Sequence, residues 1–242
     1  ANTVGDYSGS IANGGERLAL SQPELSLSTN ETSQITTNIG WVIVDEVTYD
    51  DGGRWGAWSA GGGSSLELID PRADRRRAPN WADSDETQSA PWTIAEFSGT
   101  LDHGDVSANQ LQVLLLGAGE CLIDDVEVRN ASGTKVLSNS AFATSASGWT
   151  AEGTLAASSW ESSGGYGGGG CYHVRAVDRG DNQVNRIRVG LTSSLASGST
   201  ATIRAKVRWL KGHPEILFRL RGKWLEMLVP MELPSKPGTP GQ

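Results

Sequence analysis

The sequence predicts an all-β protein of two sandwich units, and three observations carry that expectation. Short apolar or alternating runs recur along the whole chain, separated by Gly, Asn, Asp and Pro, the punctuation expected between strands. With 31 Gly and 9 Trp but only 2 Met in 242 residues, the composition favours turns and strands over long helices. The polar stretch Asp83-Ser-Asp-Glu-Thr-Gln-Ser-Ala-Pro91 interrupts the runs with the composition of a linker. The division expected is a first unit over residues 1–90, a second over 91–232 and a Pro-rich tail over 233–242.

Taken in order, Ile11–Leu20, Trp41–Tyr49 and Ser64–Ile69 read as the strands of the first unit. Trp41–Tyr49 is the strongest of these, rich in β-branched and aromatic residues and stopped by Asp50-Asp-Gly-Gly53. The second unit opens at Trp92–Phe97 and continues through Gln110–Leu116, Cys121–Arg129, Thr134–Leu137 and Thr150–Ala156. Beyond the Gly-rich loop Ser162–Gly170, which lacks the spacing and following helix of a phosphate cradle, come Cys171–Val177 and Gln183–Leu191. Thr200–Leu210 alternates strictly, with Ile203, Ala205, Val207 and Trp209 on one side and Arg204, Lys206 and Arg208 on the other. Ile216–Leu220 and Lys223–Val229 close the unit. Many short strands between turns indicate a sandwich or jelly roll.

Hydrophobic residues at 37% and charged residues at 20% fit a soluble globular protein. No run of about 18 apolar residues is present, so no membrane-spanning helix is expected. Nothing at Ala1 reads as a basic leader with an apolar core, so any secretory signal is expected to be absent or already removed. Charge is uneven: residues 1–171 carry net −15 and residues 172–242 net +7, for −8 overall. The acidic bulk argues against nucleic acid, while the basic C-terminal part permits an anionic ligand. Cys121 and Cys171 are too few for a disulfide scaffold or zinc site, and either one bridge or two buried thiols fits them.

Two resemblances sharpen the fold. Gly5-Asp-Tyr-Ser-Gly-Ser-Ile-Ala-Asn-Gly-Gly-Glu-Arg-Leu-Ala-Leu20, Val44-Asp-Glu-Val-Thr-Tyr-Asp50, Gly61-Gly-Gly-Ser-Ser-Leu-Glu-Leu-Ile-Asp-Pro71 and Asn80-Trp-Ala-Asp-Ser84 resemble the second half of a bacterial lamin-tail domain. That family implies an immunoglobulin-like β-sandwich in large secreted or surface proteins, some also carrying a CotH-type domain. Its opening strands have no counterpart ahead of Ala1, so the resemblance implies a partial sandwich with an uncovered hydrophobic edge. The second unit resembles carbohydrate-binding modules with a galactose-binding-like jelly roll, in permuted order. Val136-Leu-Ser-Asn-Ser-Ala-Phe142 and Gly148-Trp149 look like the usual opening, yet Leu122-Ile-Asp-Asp-Val-Glu-Val128, which looks like the close, precedes them. A circular permutation accounts for this order; the alternative is the tail of one jelly roll followed by the head of another.

The resemblance also implies a structural Ca²⁺ held in part by Asp124, although Ala143 stands where the family's opening Glu would be. Otherwise no cofactor is expected. Asp124 and Asp125 are adjacent, so in a regular strand they point to opposite faces and cannot face each other across a cleft. His103, His173 and His213 lie in loop, strand and turn contexts without a Gly-x-Ser-x-Gly elbow, and no catalytic role is expected of them. Arg179-Gly-Asp181 reads as a turn. If Leu210 pairs with Glu215, Lys206 sits opposite Arg219 and Arg204 opposite Arg221, with Arg186 and Arg188 extending the patch. Opposed like charges are destabilising, so either an anionic ligand or acidic neighbours such as Glu127 and Glu152 should offset them. Aromatic platforms for sugars are available at Trp149, Trp160, Tyr166, Tyr172 and Trp224.

The expected function is a non-catalytic accessory module of a secreted or cell-surface bacterial protein. It would bind polysaccharide, acidic chains included, on a face carrying Arg204, Lys206, Arg219 and Arg221 near Trp160 and Tyr166. A structural or adhesive spacer with no small ligand is the alternative, and a glycan-active enzyme the third. Expected partners are an extracellular glycan and neighbouring domains of a larger chain.

Overall fold

A computed structural model describes residues 9–12, 14–29, 35–56, 58–60, 64–84 and 90–234. The chain is all-β, with every strand pairing antiparallel. It divides into two compact units, Ala1–Ser84 and Asp85–Gln242. The division falls a few residues ahead of the position expected from composition. Ala90 is buried in the core of the second unit, and its carbonyl accepts the Arg208 Nε–H at 2.7 Å. Most of the tail, residues 235–242, lies outside the described residues.

The first unit is a long ribbon of β1 (Glu16–Thr29) and β2 (Ile35–Tyr49), plus a short pair, β3 (Leu66–Leu68) and β4 (Trp81–Asp83). The pattern of runs missed the outer half of this ribbon, because Leu20–Thr29 mixes Pro and Glu with its leucines. Leu25 pairs with Ile39 and Pro23 with Trp41, whereas Leu20 pairs with Asp45 and Ser21 with Ile43. The extra residue between those last pairs is Val44, and this bulge moves the apolar stripe of the ribbon from one side to the other. Beside the inner half, Trp81 donates Nε1–H to Arg75 O at 2.8 Å, and Arg75 pairs with Asp45 at 3.2 Å. Leu25, Leu27, Ile35, Ile39 and Trp41 are all exposed.

The second unit is a β-sandwich of two five-stranded sheets. One sheet has the order β5-β12-β7-β10-β9, formed by β5 (Trp92–Thr100), β7 (Gly119–Arg129), β9 (Ser159–Glu161), β10 (Cys171–Ala176) and β12 (Thr200–Gly212). The other has the order β14-β13-β6-β11-β8, formed by β6 (Ala108–Leu115), β8 (Trp149–Ala151), β11 (Ile187–Leu195), β13 (Glu215–Arg221) and β14 (Leu225–Pro230). Of the expected strands, Thr134–Leu137 supplies only an isolated bridge from Lys135 to Arg129, and Thr150–Ala156 leaves the strand after Ala151 for a 3-10 turn at Gly153–Leu155.

A single hydrophobic core joins the sheets. Ile123 and Val128 of β7 pack in it with Ile203 and Val207 of β12 and Phe218 and Leu220 of β13. The alternation expected of β12 holds, since Ile203, Ala205, Val207 and Trp209 are at most 1% exposed. The pairing expected of β12 does not. It bonds to β5 and β7, while β13 bonds to β6 and β14 in the other sheet. The two strands follow each other in sequence but form a corner, each turning its apolar side toward the core from its own sheet.

Candidate functional site

That corner disperses the face the sequence assembled. Arg204 and Lys206 lie on the first sheet, whereas Arg219 and Arg221 lie on the second, so no like-charged ladder exists between them. Acidic neighbours hold most of these cations, in part different ones from those expected. Arg204 is 3.7 Å from Glu96 on β5, Lys206 is 2.6 Å from Asp125, and Arg219 is 2.7 Å from Glu226 on β14. Glu127 instead takes Arg129 and Lys135, and Glu152 takes Arg186 and Arg188. Burial alone would raise the Glu127 pKa, but the hydrogen bonds from Lys135 and Arg129 outweigh it and hold the carboxyl below its ordinary value.

Trp160 and Tyr166 part company. The Trp160 indole packs against the core and donates Nε1–H to Phe142 O at 2.7 Å, so it is a structural side chain. Trp149 and Tyr172 are likewise buried, packed about Phe142. Tyr166 is half-exposed and lies over the first sheet, with Lys206 Nζ 3.5 Å from its ring centroid and Trp92 edge-on at 6.0 Å. Its loop is folded down by Asp124, whose Oδ2 accepts the Tyr166 N–H at 2.8 Å.

Asp125 has a positive φ of 45°, and β7 holds one residue more than β12 between the Lys206–Asp124 and Arg204–Glu127 pairs. This bulge, which strand alternation alone does not announce, brings both carboxylates to the Lys206 side of the sheet, contrary to the expectation of opposite faces. Asp124 Oδ1 accepts the Asp125 N–H at 2.7 Å, so both its oxygens are committed to backbone donors. Burial raises its pKa. Among the described residues no group of three His, Cys, Asp or Glu side chains could hold a metal ion. Asp124 is therefore a latch for the Gly-rich loop.

Cys121 and Cys171 are free, buried thiols. Val174 pairs with Cys121 and Tyr172 with Ile123, so Cys171 lies level with Asp124, three residues along from Cys121. An odd offset puts the thiols on opposite faces of the sheet and about 10 Å apart, beyond the reach of a bridge. Cys121 sits in the main core, and Cys171 in a small separate cluster with Leu122 and Leu210. Burial pushes the Cys171 thiol up to about 11. The Arg-Gly-Asp tripeptide leads into the bend over 182–186 rather than forming a turn itself: Asp181 accepts the N–H groups of Val184, Asn185 and Gln183, which hold it at about 2.

A concave site of the second unit lies elsewhere, beside the neighbouring edge strands β5 and β14. It is a hollow of about 580 Å³ lined by Phe97, Asp102, His103, Arg219, Trp224 and Glu226 among others. The Arg219 guanidinium covers one face of Trp224 at 4.0 Å from the ring. The rim is interlocked. Trp224 N–H donates to His103 O at 2.8 Å, and Lys223 Nζ donates to Gly104 O. Gly104 has φ +96°, and a Cβ there would lie 2.0 Å from Gly222 O. Gly222 has φ +113°, and a Cβ there would lie 2.4 Å from Ser107 O. Only glycine meets both demands. Of the lining residues, Arg219 and Trp224 stood out in the sequence. Phe97 and Asp102 did not, and His103 stood out only as a lone histidine, because they reach the site only when β5 becomes an edge strand beside β14.

No protein-family model matches the chain, and no curated protein or solved structure matches it either. Among the described residues no helix is long and apolar enough to cross a membrane.

Proposed function

We propose that this chain is a non-catalytic accessory module of a secreted or cell-surface bacterial protein and that its second unit binds polysaccharide. In this reading the first unit is a lamin-tail-like segment and the second a circularly permuted, galactose-binding-like jelly roll. The observation that carries the binding assignment is the hollow at Phe97 and Trp224. It joins two aromatic side chains to Asp102, His103 and Glu226 on a rim whose loops are locked together. Aromatic faces present apolar area at small entropic cost, while the polar groups can meet hydroxyls. The volume lies within the range of small-ligand sites. The outer face of the first sheet is a weaker candidate, since Lys206 and Arg204 are already neutralised.

The same neutralisation favours the second reading, a structural or adhesive spacer with no small ligand. Affinity electrophoresis separates the two. Migration of the chain through gels containing xylan, mannan, polygalacturonate or dextran sulfate should be retarded by at least one polymer, and Trp224→Ala should remove the retardation. Unchanged migration in all four supports the spacer and sinks the binding assignment.

A further inference from the structure

Trp224 stands between two hollows. Beside the one already described lies a second of about 340 Å³, lined by Asp105, Val106, Asn109, Arg221, Gly222 and Trp224 itself. The two differ in charge. In the first, Arg219 is spent on Glu226 at 2.7 Å and on the Trp224 ring. In the second, Arg221 is exposed at the end of β13 and holds neither a carboxylate nor a hydrogen-bond acceptor among the described residues. Arg179 is likewise exposed and without a side-chain partner among the described residues, and Arg208 holds only Ala90 O, whereas Arg175, Arg186, Arg188, Arg204, Lys206 and Arg219 each hold a carboxylate. Lys223, two residues on, holds only a backbone carbonyl, which leaves its charge uncompensated. Asp105 is the acidic side chain lining this hollow, and it forms no ion pair with Arg221.

Resting on the glycan reading above, we infer that the site takes an internal stretch of an anionic glycan chain that crosses Trp224. One sugar unit occupies the larger hollow beside Phe97, within reach of Asp102 and His103. The next unit lies in the smaller hollow with its carboxylate or sulfate on Arg221. A guanidinium presents two parallel N–H donors that match such oxyanions. The locked glycine pair at Gly104 and Gly222 supports the division, because it fixes Trp224 as a partition between the hollows before any ligand arrives.

Isothermal titration of the full chain tests this with galacturonic acid, trigalacturonate, polygalacturonate, dextran sulfate and xylan. Trigalacturonate should bind at least about tenfold more tightly than the monosaccharide, the increment expected of one further charge-assisted pair. Raising the salt should weaken the acidic chains and leave xylan unaffected. Arg221→Gln, on an exposed side chain, should lower the acidic-chain affinity about tenfold and shift xylan by less than about twofold. Equal affinity for monosaccharide and trimer, or polygalacturonate binding unchanged in Arg221→Gln, overturns the inference. Binding of xylan alone overturns it and leaves the glycan reading standing. Binding of no sugar at all overturns both.

Discussion

The two units are composed in the same manner, as alternating strands between glycine and aspartate turns, yet among the described residues only the second closes into a sandwich. In the second unit Ile203, Val207, Ile216 and Phe218 are fully buried between two sheets. In the first, Leu25, Leu27, Ile35, Ile39 and Trp41 are 62–71% exposed on a two-stranded ribbon. Both sets of residues are good strand formers, so propensity does not separate them. What separates them is a second layer at stacking distance, about 10 Å away. A pair of strands alone has nothing to bury its apolar side against and is marginal in water.

The largest expected effect follows from that contrast. Expressed by themselves, residues 85–242 should melt cooperatively with a native near-UV circular dichroism signal, whereas residues 1–84 should show no cooperative transition. A sharp thermal transition in the short piece would break the comparison. Next in size is a matched pair of tryptophan deletions followed by urea unfolding. Trp209→Ala, at a buried site whose indole N–H meets Gly212 O at 3.0 Å, should cost about 3–5 kcal/mol. Trp41→Ala on the open ribbon should stay within about 0.5 kcal/mol. Equal losses would mean the ribbon is covered in solution.

Smaller again is Gly104→Ala. The left-handed backbone and the Gly222 carbonyl in its way predict a loss of about 1–3 kcal/mol, together with loss of polymer retardation in the gel. A variant of wild-type stability and binding would show that the rim is looser than described.

The smallest effect is pH-linked and confined to the second unit. The hydrogen bond from His173, with that from Lys211, lowers Glu120 from 4.5 to about 2. The folded state therefore prefers the carboxylate. The stability this lends is complete above 4.5 and is lost as pH falls toward 2. Asp124 slopes the other way, because burial raises its pKa and the folded state holds its proton more tightly. Glu120→Gln should flatten the fall in melting temperature between pH 4.5 and 2.5. An acid limb as steep as the wild type's would show that other carboxylates govern it.

How much of this was legible in the sequence differs from feature to feature. Alternation in Thr200–Leu210 identified the inner side of β12 residue by residue, since successive side chains in a strand must diverge. The same rule failed at Asp125, where one inserted residue with φ 45° cancels the alternation. The fate of Trp160 was hidden because an aromatic in a Gly-rich stretch reads the same whether it meets the core or the solvent. Its hydrogen bond to Phe142 decides the matter. For the two cysteines the deciding quantity was register, which puts Cys171 level with Asp124 rather than Cys121.

The amino-acid order by itself determined the all-β character, the apolar side of β12 and the polar break between the units, because these depend on neighbours a few positions apart. Only the tertiary structure decided that β12 joins β5 and β7 while β13 joins β6 and β14. Each of those choices closes contacts over long stretches of chain, and closing the core selects among pairings that local pattern leaves equivalent. The hollow at Trp224 is a product of that selection, since it exists only where the edges of the two sheets come to lie side by side.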